Sequence, residues 1–340
     1  MADQNKGMSD LWRRLRFVFL AIVVYRMGTH IPIPGIDPAR LAALFDQNQG
    51  TILEMFNLFS GGALERMSIF ALNVVPYISA AIIMQLFSNS IPYLQELKKD
   101  GQAGRNQITQ YTRYGTVVLA FVQASALSVT LGASGLAYEP GTSFFISAVF
   151  SVVAGTVFLM WLGEQITERG IGNGISIIIA TSILTGIPGA IGQALEQARQ
   201  GDLNILLLLG IGVLAIVVIA IVVFIERGQR RITVNYAQRQ QGRKLMQAQA
   251  SHLPFKVNMA GVIPAIFAST FLLFPASLST WFGQAESFGF LQTISLALNP
   301  GQPLYILTFS ALIISFCFIW LALTFDTKDV TDNLKKSGAF

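Results

Sequence analysis

The chain has 340 residues, 53% of them hydrophobic and only 12% charged, with 23 Lys and Arg against 18 Asp and Glu for a formal charge of +5. A soluble domain carries about a quarter charged residues, so this composition excludes an ordinary water-soluble enzyme. Because the basic residues sit in gaps between long apolar runs, a nucleic-acid surface is excluded too, and the single cysteine, Cys317, leaves no internal disulfide or cysteine-based metal site.

Apolar runs of membrane-spanning length lie at 17–34, 69–90, 114–133, 143–163, 171–191, 203–225, 257–279 and 303–325. The sixth has no charged residue and is long enough to cross a hydrocarbon core of ~30 Å. Ahead of the first run, the 1–16 segment carries Lys6, Arg13, Arg14 and Arg16. Further basic residues fill alternate gaps: Lys98, Lys99, Arg105 and Arg113, then Arg169, then seven between Arg227 and Lys256, then Lys328, Lys335 and Lys336. The opposite gaps hold little beyond Arg40, Arg66 and Arg199. The positive-inside rule therefore predicts cytoplasmic N- and C-termini around an even number of spans. The first run does not resemble a cleavable signal, since Arg26 interrupts it and no small-residue cleavage site follows.

Five stretches depart from plain apolar helix. Residues 50–67 are too short and polar to span, yet Ile52, Leu53, Met55, Phe56, Leu58 and Phe59 make them strongly apolar, and Gly61–Gly62 breaks any helix. Such a segment either lies at the interface or folds back into a protein-lined cavity. In the second run, Pro76 predicts a helix that kinks or begins late, while Asn73, Ser79 and Gln85 are polar groups that face protein or water rather than lipid. Residues 163–174 contain alternate glycines, but joining two spans they predict a tight cytoplasmic turn rather than a phosphate loop. Glu164 and Glu168 there read as a solvated helix end, beside Arg169 and with no histidine near. The long basic gap 226–256 alternates like a strand at 231–236, with a hairpin tip at Gln240-Gln241-Gly242 before Arg243-Lys244. Finally, Gly261 and Pro264 predict a kinked or loosened helix in the seventh run.

Intramembrane charge is nearly confined to Arg26, which at a helix centre costs ~2.5–3.5 kcal/mol and needs a reason to be there. No chain of buried acids or histidines offers a proton relay; His30 and His252 lie at run margins. No phosphate-loop lysine motif, zinc-protease motif or nucleophile elbow is present. The composition thus favours a conduit powered from outside over a catalyst, a cofactor protein or an ion-coupled pump. A secondary transporter of a small solute is the alternative, although the convergent charges of a solute site are lacking. A pore-free membrane scaffold is a third.

Several strings resemble the SecY family, the channel subunit of the bacterial Sec protein translocase, in its gamma-proteobacterial form. They are Ile31-Pro32-Ile33-Pro34-Gly35-Ile36-Asp37, the segment 55–64, Pro76-Tyr77-Ile78-Ser79-Ala80, and the segments 110–115, 161–177, 257–268 and 332–340. The resemblance runs from about Leu11 to Phe340. It implies an all-α polytopic protein of ten spans in two inverted halves, of which this sequence carries eight. The first half would be 17–195, the partial second half 196–325 with its cytoplasmic loop 226–256, and 326–340 would lead toward two further spans.

The resemblance also implies roles. Residues near 54–64 (Met55, Phe56, Asn57, Leu58, Phe59, Ser60, Gly61 and Gly62 among them) correspond to a plug seated on the outer side of a closed pore. Val74, Ile78, Ile175, Ile179 and Ile266 match five of six pore-ring residues. Ser79 and Phe274 match positions across a lateral gate, with Gln85 and Asn173 as polar neighbours. Arg243 and Lys244 match the tip of a loop that meets SecA or the ribosome. Implied partners are SecE, SecG, SecA, the ribosome, signal sequences, unfolded polypeptides and membrane lipids, with SecDF and YidC as further ones. The implied place is the bacterial inner membrane, and no cofactor is implied.

Overall fold

The computed structural model describes residues 2–38, 40–41, 57, 60–139, 141–201, 204–234, 240–241, 244–245, 251–282, 302–324, 331–332 and 334–335. Two compact units divide the chain: Met1–Gly192 with Ser269–Thr308, and Gln193–Ala268 with Phe309–Phe340.

In the first unit the helices are α1 (Ala2–Gly28), α2 (Val75–Ser90), α3 (Pro92–Lys99), α4 (Gly101–Ala133), α5 (Thr142–Arg169) and most of α6 (Gly174–Gln200). α4 packs on both α2 and α5, and α1 packs on α5. Close approach comes from small residues. α4 buries Thr112, Thr116, Ala120, Ala124 and Ser128, four apart and so on one stripe. The hydroxyls of Thr116 and Ser128 donate to the carbonyls of Thr112 and Ala124, each at 2.8 Å, so burial leaves them satisfied. α5 contributes Gly155 at a point where a Cβ would collide with the Ile69 carbonyl. Arg113 and Glu164 then clamp α4 to α5 with two parallel bonds of 2.8 and 2.9 Å. Glu164 is thus an ion-pair partner, not the freely solvated helix end expected from its sequence context.

The first two predicted runs are each shorter as helix than expected, for the same reason. α1 ends at Gly28, and residues 31–37 leave the helix, with bridges at Pro32 and Ile36 around a turn at 34–35, instead of continuing as helix to residue 34. Pro32 and Pro34 lack backbone donors and push their predecessors out of the helical region. The strap they form is pinned on two sides: Ile33 N donates to Met67 O at 2.8 Å and Ile69 N to Ile31 O at 3.0 Å, while Asp37 N donates to Leu136 O at 2.9 Å. Residues 61–74 pass through turns with positive φ at Gly61, Gly62, Met67 and Asn73, so the second helix starts at Val75 rather than at residue 69. Pro76 in its first turn suits a helix start, where the missing donor costs nothing.

Between α5 and α6 the expected tight turn is present. Gly172 has φ +69°, and Gly174 N donates to Thr167 Oγ1 at 2.8 Å. A Cβ on Gly174 would run into the Gly163 carbonyl, so the two helix ends meet backbone to backbone.

The second unit carries α7 (Ile205–Arg227), a basic ribbon and α9 (Pro303–Thr324, from Phe309 onward), together with the first turns of α8 (Ile263–Phe282). α7 has no buried residue. The ribbon is wider than the alternation at 231–236 indicated: β1 (Gln229–Val234) pairs antiparallel with β4 (Ser251–Lys256), Gln229 opposite Lys256. Inside it, β2 (Gln240–Gln241) pairs with β3 (Lys244–Leu245), Gln241 opposite Lys244. Tyr236 lies outside the described residues. Gly261, at φ +62°, and Pro264 mark the start of α8 and do not kink its middle, which corrects the sequence expectation. In this unit Phe267 packs edge-on against Phe316 and Trp320 of α9, at 5.9 and 5.5 Å between ring centroids.

Among the described residues five helices are long and apolar enough to cross a membrane: α4, α5, α6, α7 and residues Pro303–Ala322 of α9. The other three predicted runs hold α1, α2 and α8.

Candidate functional site

The residues expected to line a constriction arise at the starts of two helices. Val74 caps α2, and Ile78 N donates to its carbonyl at 3.0 Å. Ile175 and Ile179 occupy the opening turns of α6. Each pair is four apart and therefore shares a helix face. Both pairs come together on one apolar cluster: Val74 belongs to it, with Tyr25, Ala63, Phe70, Leu159, Leu162, Ile166 and Ile178, and Ile78, Ile175 and Ile179 pack against it half-buried. Ile266, in the first turn of α8, is half-buried in the other unit.

Ala63, fully buried in this cluster, directly follows the Gly61–Gly62 pair of the expected plug. Of the plug residues, Met55, Phe56, Leu58 and Phe59 lie outside the described residues, whereas Asn57, Ser60, Gly61 and Gly62 are described. They form a compact knot. Asn57 exchanges two bonds of 3.0 Å with Glu65, one from its amide to the carboxylate and one to its own oxygen from Glu65 N. Its carbonyl accepts from Ser60 Oγ at 2.9 Å and Gly62 N at 3.0 Å.

Side chains that sequence reading left without a task meet this knot. Arg26 of α1, the lone charge in its run, donates to the Gly61 carbonyl at 2.9 Å. Tyr25, next to it, donates toward the Ser60 carbonyl at 3.2 Å and lies 2.6 Å from Ser182 Oγ on α6. Asn73 Nδ2 donates to the same Ser182 oxygen at 3.2 Å. Asn73 had a signal, a polar residue in an apolar run, and so had Arg26. Tyr25 and Ser182 had none, because a tyrosine or serine in a membrane helix is commonplace.

The gate candidates are only partly visible. Ser79 and Gln85 lie half-buried on α2, and the backbone of Phe274 is in α8 with its side chain outside the described residues. Asn173 has a local job: its side-chain oxygen accepts from Ile175 N at 3.0 Å and Ser176 N at 3.2 Å, capping α6. At the basic ribbon, Arg243 lies outside the described residues, and Lys244 is placed by backbone alone, in β3. Arg230, Arg231 and Lys256 are exposed on the β1–β4 pair.

The family profile described as SecY matches residues 68–340. Over 339 residues the chain is 66% identical to a protein translocase subunit SecY of Pseudomonas aeruginosa, covering 100% of this chain and 77% of that one. Among solved structures, a protein-conducting channel superposes with a TM-score of 0.57 at 21% identity, over 79% of this chain and 59% of the other. A structure described by the role of the SecY plug domain in stabilising the closed channel and maintaining the membrane seal gives 0.55 at 21%, over 80% and 58%. At these identities the solved channels speak to fold alone, and the chain spans about six-tenths of their length. Neither these relatives nor the site geometry supports a small-solute transporter. Sequence, profile and fold agree: this multi-pass membrane chain belongs to the SecY family of protein translocase subunits.

Proposed function

We propose that this chain forms the pore of a protein-conducting channel, passing unfolded polypeptides across the bacterial inner membrane and releasing apolar segments sideways into lipid. The observation that carries the reading is the shared cluster: Val74, Ile78, Ile175 and Ile179 gather where Ala63, at the base of the plug segment, is also buried. Branched aliphatic side chains close such a constriction by fitting together and by dewetting, without a charged filter. Because their contacts are non-directional, they re-form around any chain that enters. By the family resemblance, Ile266 is a further ring residue and the segment 54–64 is the plug.

The remaining assignments follow from the same reading. The N-terminal segment 1–16 and the basic ribbon face the cytoplasm, and Arg243 and Lys244 dock SecA or the ribosome, which supply the work. SecE and SecG accompany the channel, and SecDF and YidC act beside it. Residues 17–195 form one half and 196–325 part of the other, with α2 and α8 bordering a lateral gate at Ser79 and Phe274. An apolar signal sequence entering there exchanges pore for lipid, gaining ~0.8 kcal/mol per methylene buried. The chain itself performs no chemistry; partner and substrate binding shift a closed–open equilibrium.

Single-channel recording tests this. In the full-length protein with its partner subunits, Ile78→Asn wets the closed constriction, raises ion leakage and lets weaker signal sequences through. A well-folded Ile78→Asn variant as tight to ions as the parent removes the pore-ring assignment.

A further inference from the structure

We infer that Tyr25, Asn73 and Ser182 form a latch on the plug, positioning its base and setting how strongly a substrate must act to open the channel. This rests on the pore reading above. Successive residues of α1 hold successive carbonyls of the plug base: Tyr25 that of Ser60 and Arg26 that of Gly61. On the other side, Gly61 sits so close to α6 that a Cβ there would lie 3.0 Å from Ser182 Cα. Gly61 also has φ +67°, a second reason for glycine at this spot. The base of the plug is thus held between α1 and α6, the latter being the helix that carries Ile175 and Ile179.

Every member of the latch is buried: Tyr25 is 1% exposed, Ser60 1%, Asn73 3% and Ser182 0%. Buried hydroxyls are costly unless bonded, and phenylalanine or alanine would fill the same space without that demand. Packing alone therefore does not account for them. A proton count does. Tyr25 and Ser182 have one hydroxyl proton each, but three bonds need one: Tyr25 to Ser60 O, Tyr25 to Ser182, and Ser182 to Ile178 O at 2.9 Å. If Tyr25 donates to Ser60, Ser182 must donate to Tyr25. If the plug base leaves, Tyr25 turns its proton to Ser182, and Ser182 donates to the Ile178 carbonyl. In that arrangement Asn73 still donates to Ser182, so no hydroxyl is orphaned. The latch holds the closed state while making release cheap, because Ser182 replaces the plug carbonyl as Tyr25's partner.

The two hydroxyls are therefore expected to act in opposite directions. Tyr25→Phe removes the hold but keeps the ring stacked on Phe70, at 6.0 Å between centroids and 7° between planes. Open events should become more frequent by roughly fivefold, the worth of one neutral buried bond, and weaker signal sequences should be accepted. Ser182→Ala removes the substitute acceptor on α6, leaving Tyr25 the Ser60 carbonyl and the Asn73 side chain beside it. Openings should become rarer by about the same factor.

Planar-bilayer recording of the full-length protein with its partner subunits, with Ile78→Asn as a third variant, decides between the readings. Leakage through Ile78→Asn together with opposite shifts for Tyr25→Phe and Ser182→Ala supports the latch. Leakage through Ile78→Asn with shifts of one sign, or none, overturns the latch and leaves the pore reading standing. An Ile78→Asn channel as tight as the parent overturns both. Ser182→Ala decides by itself if Tyr25→Phe does not fold: openings as frequent as the parent's, or more so, overturn the proposal.

Discussion

α5 and α7 are both membrane-length helices, of 28 and 23 residues, yet α5 buries eleven residues and α7 none. The more apolar of the two is the less packed. In water this would be paradoxical. In a bilayer, hydrocarbon tails solvate leucine as well as another helix does, so apolarity places a segment in lipid but does not draw it to a neighbour. Packing comes from elsewhere: Gly155 and Gly163 let backbones touch α5, and Thr156 and Ala148 keep its buried face flat. α7 offers Leu206 at 81% and Phe224 at 82% exposure, and around Gly210 and Gly212 nothing stands within reach of an added Cβ.

Putting a large side chain at one glycine of each helix tests the contrast most severely. Gly155→Leu drives its Cβ into the Ile69 carbonyl and should abolish the folded protein, with loss of protease resistance in detergent. Gly212→Leu, with open space around it, should leave the unfolding midpoint within about 0.5 kcal/mol of the parent. Equal damage from both would end the comparison.

A milder version truncates one leucine on each helix. Leu159, 0% exposed, leaves a cavity when replaced by alanine and should cost about 2 kcal/mol in denaturant titration. The same change at Leu214, 61% exposed, should be near neutral for stability and felt only in insertion efficiency. Finding the larger loss at Leu214 would show that α7 is covered by protein.

The Arg113–Glu164 clamp should matter less, because the arginine side chain is 43% exposed and so partly screened. Arg113→Lys keeps the charge but cannot make both parallel bonds, and should cost about 1 kcal/mol, removed in a Glu164→Gln background. A cycle with no coupling would assign the α4–α5 contact wholly to its small residues. The smallest effect is expected of Ile216→Leu on α7, where thermal unfolding should not move.

What the sequence made legible follows from the same distinction. Apolar length located a helix in each of the eight runs but not α3, Pro76 announced a late start, and the glycines at 163–174 announced a turn. All five ring candidates were nameable only through resemblance, and four of them meet on one apolar cluster. Windowed hydropathy missed the strap, since Pro32 and Pro34 are averaged into an apolar run although their backbone chemistry forbids helix there. It also missed the Tyr25–Ser182 bond, whose ends lie 157 residues apart. A contact of that separation leaves no periodic trace, and each residue alone is ordinary.

The strap has a consequence for synthesis. Residues 31–37 precede their long-range backbone partners, Met67, Ile69, Leu136 and Tyr138, by 34 residues or more. Until the last of these is made, the strap has unpaired donors and acceptors, and α1 cannot be fixed against the rest of the unit. α1 is therefore locked only after α4 has been made, and its following segment must stay shielded or hydrated until then. A nascent chain stopped short of Leu136 should leave Ile33 and Asp37 open to cysteine labelling after substitution, and one extended past Phe144 should protect them.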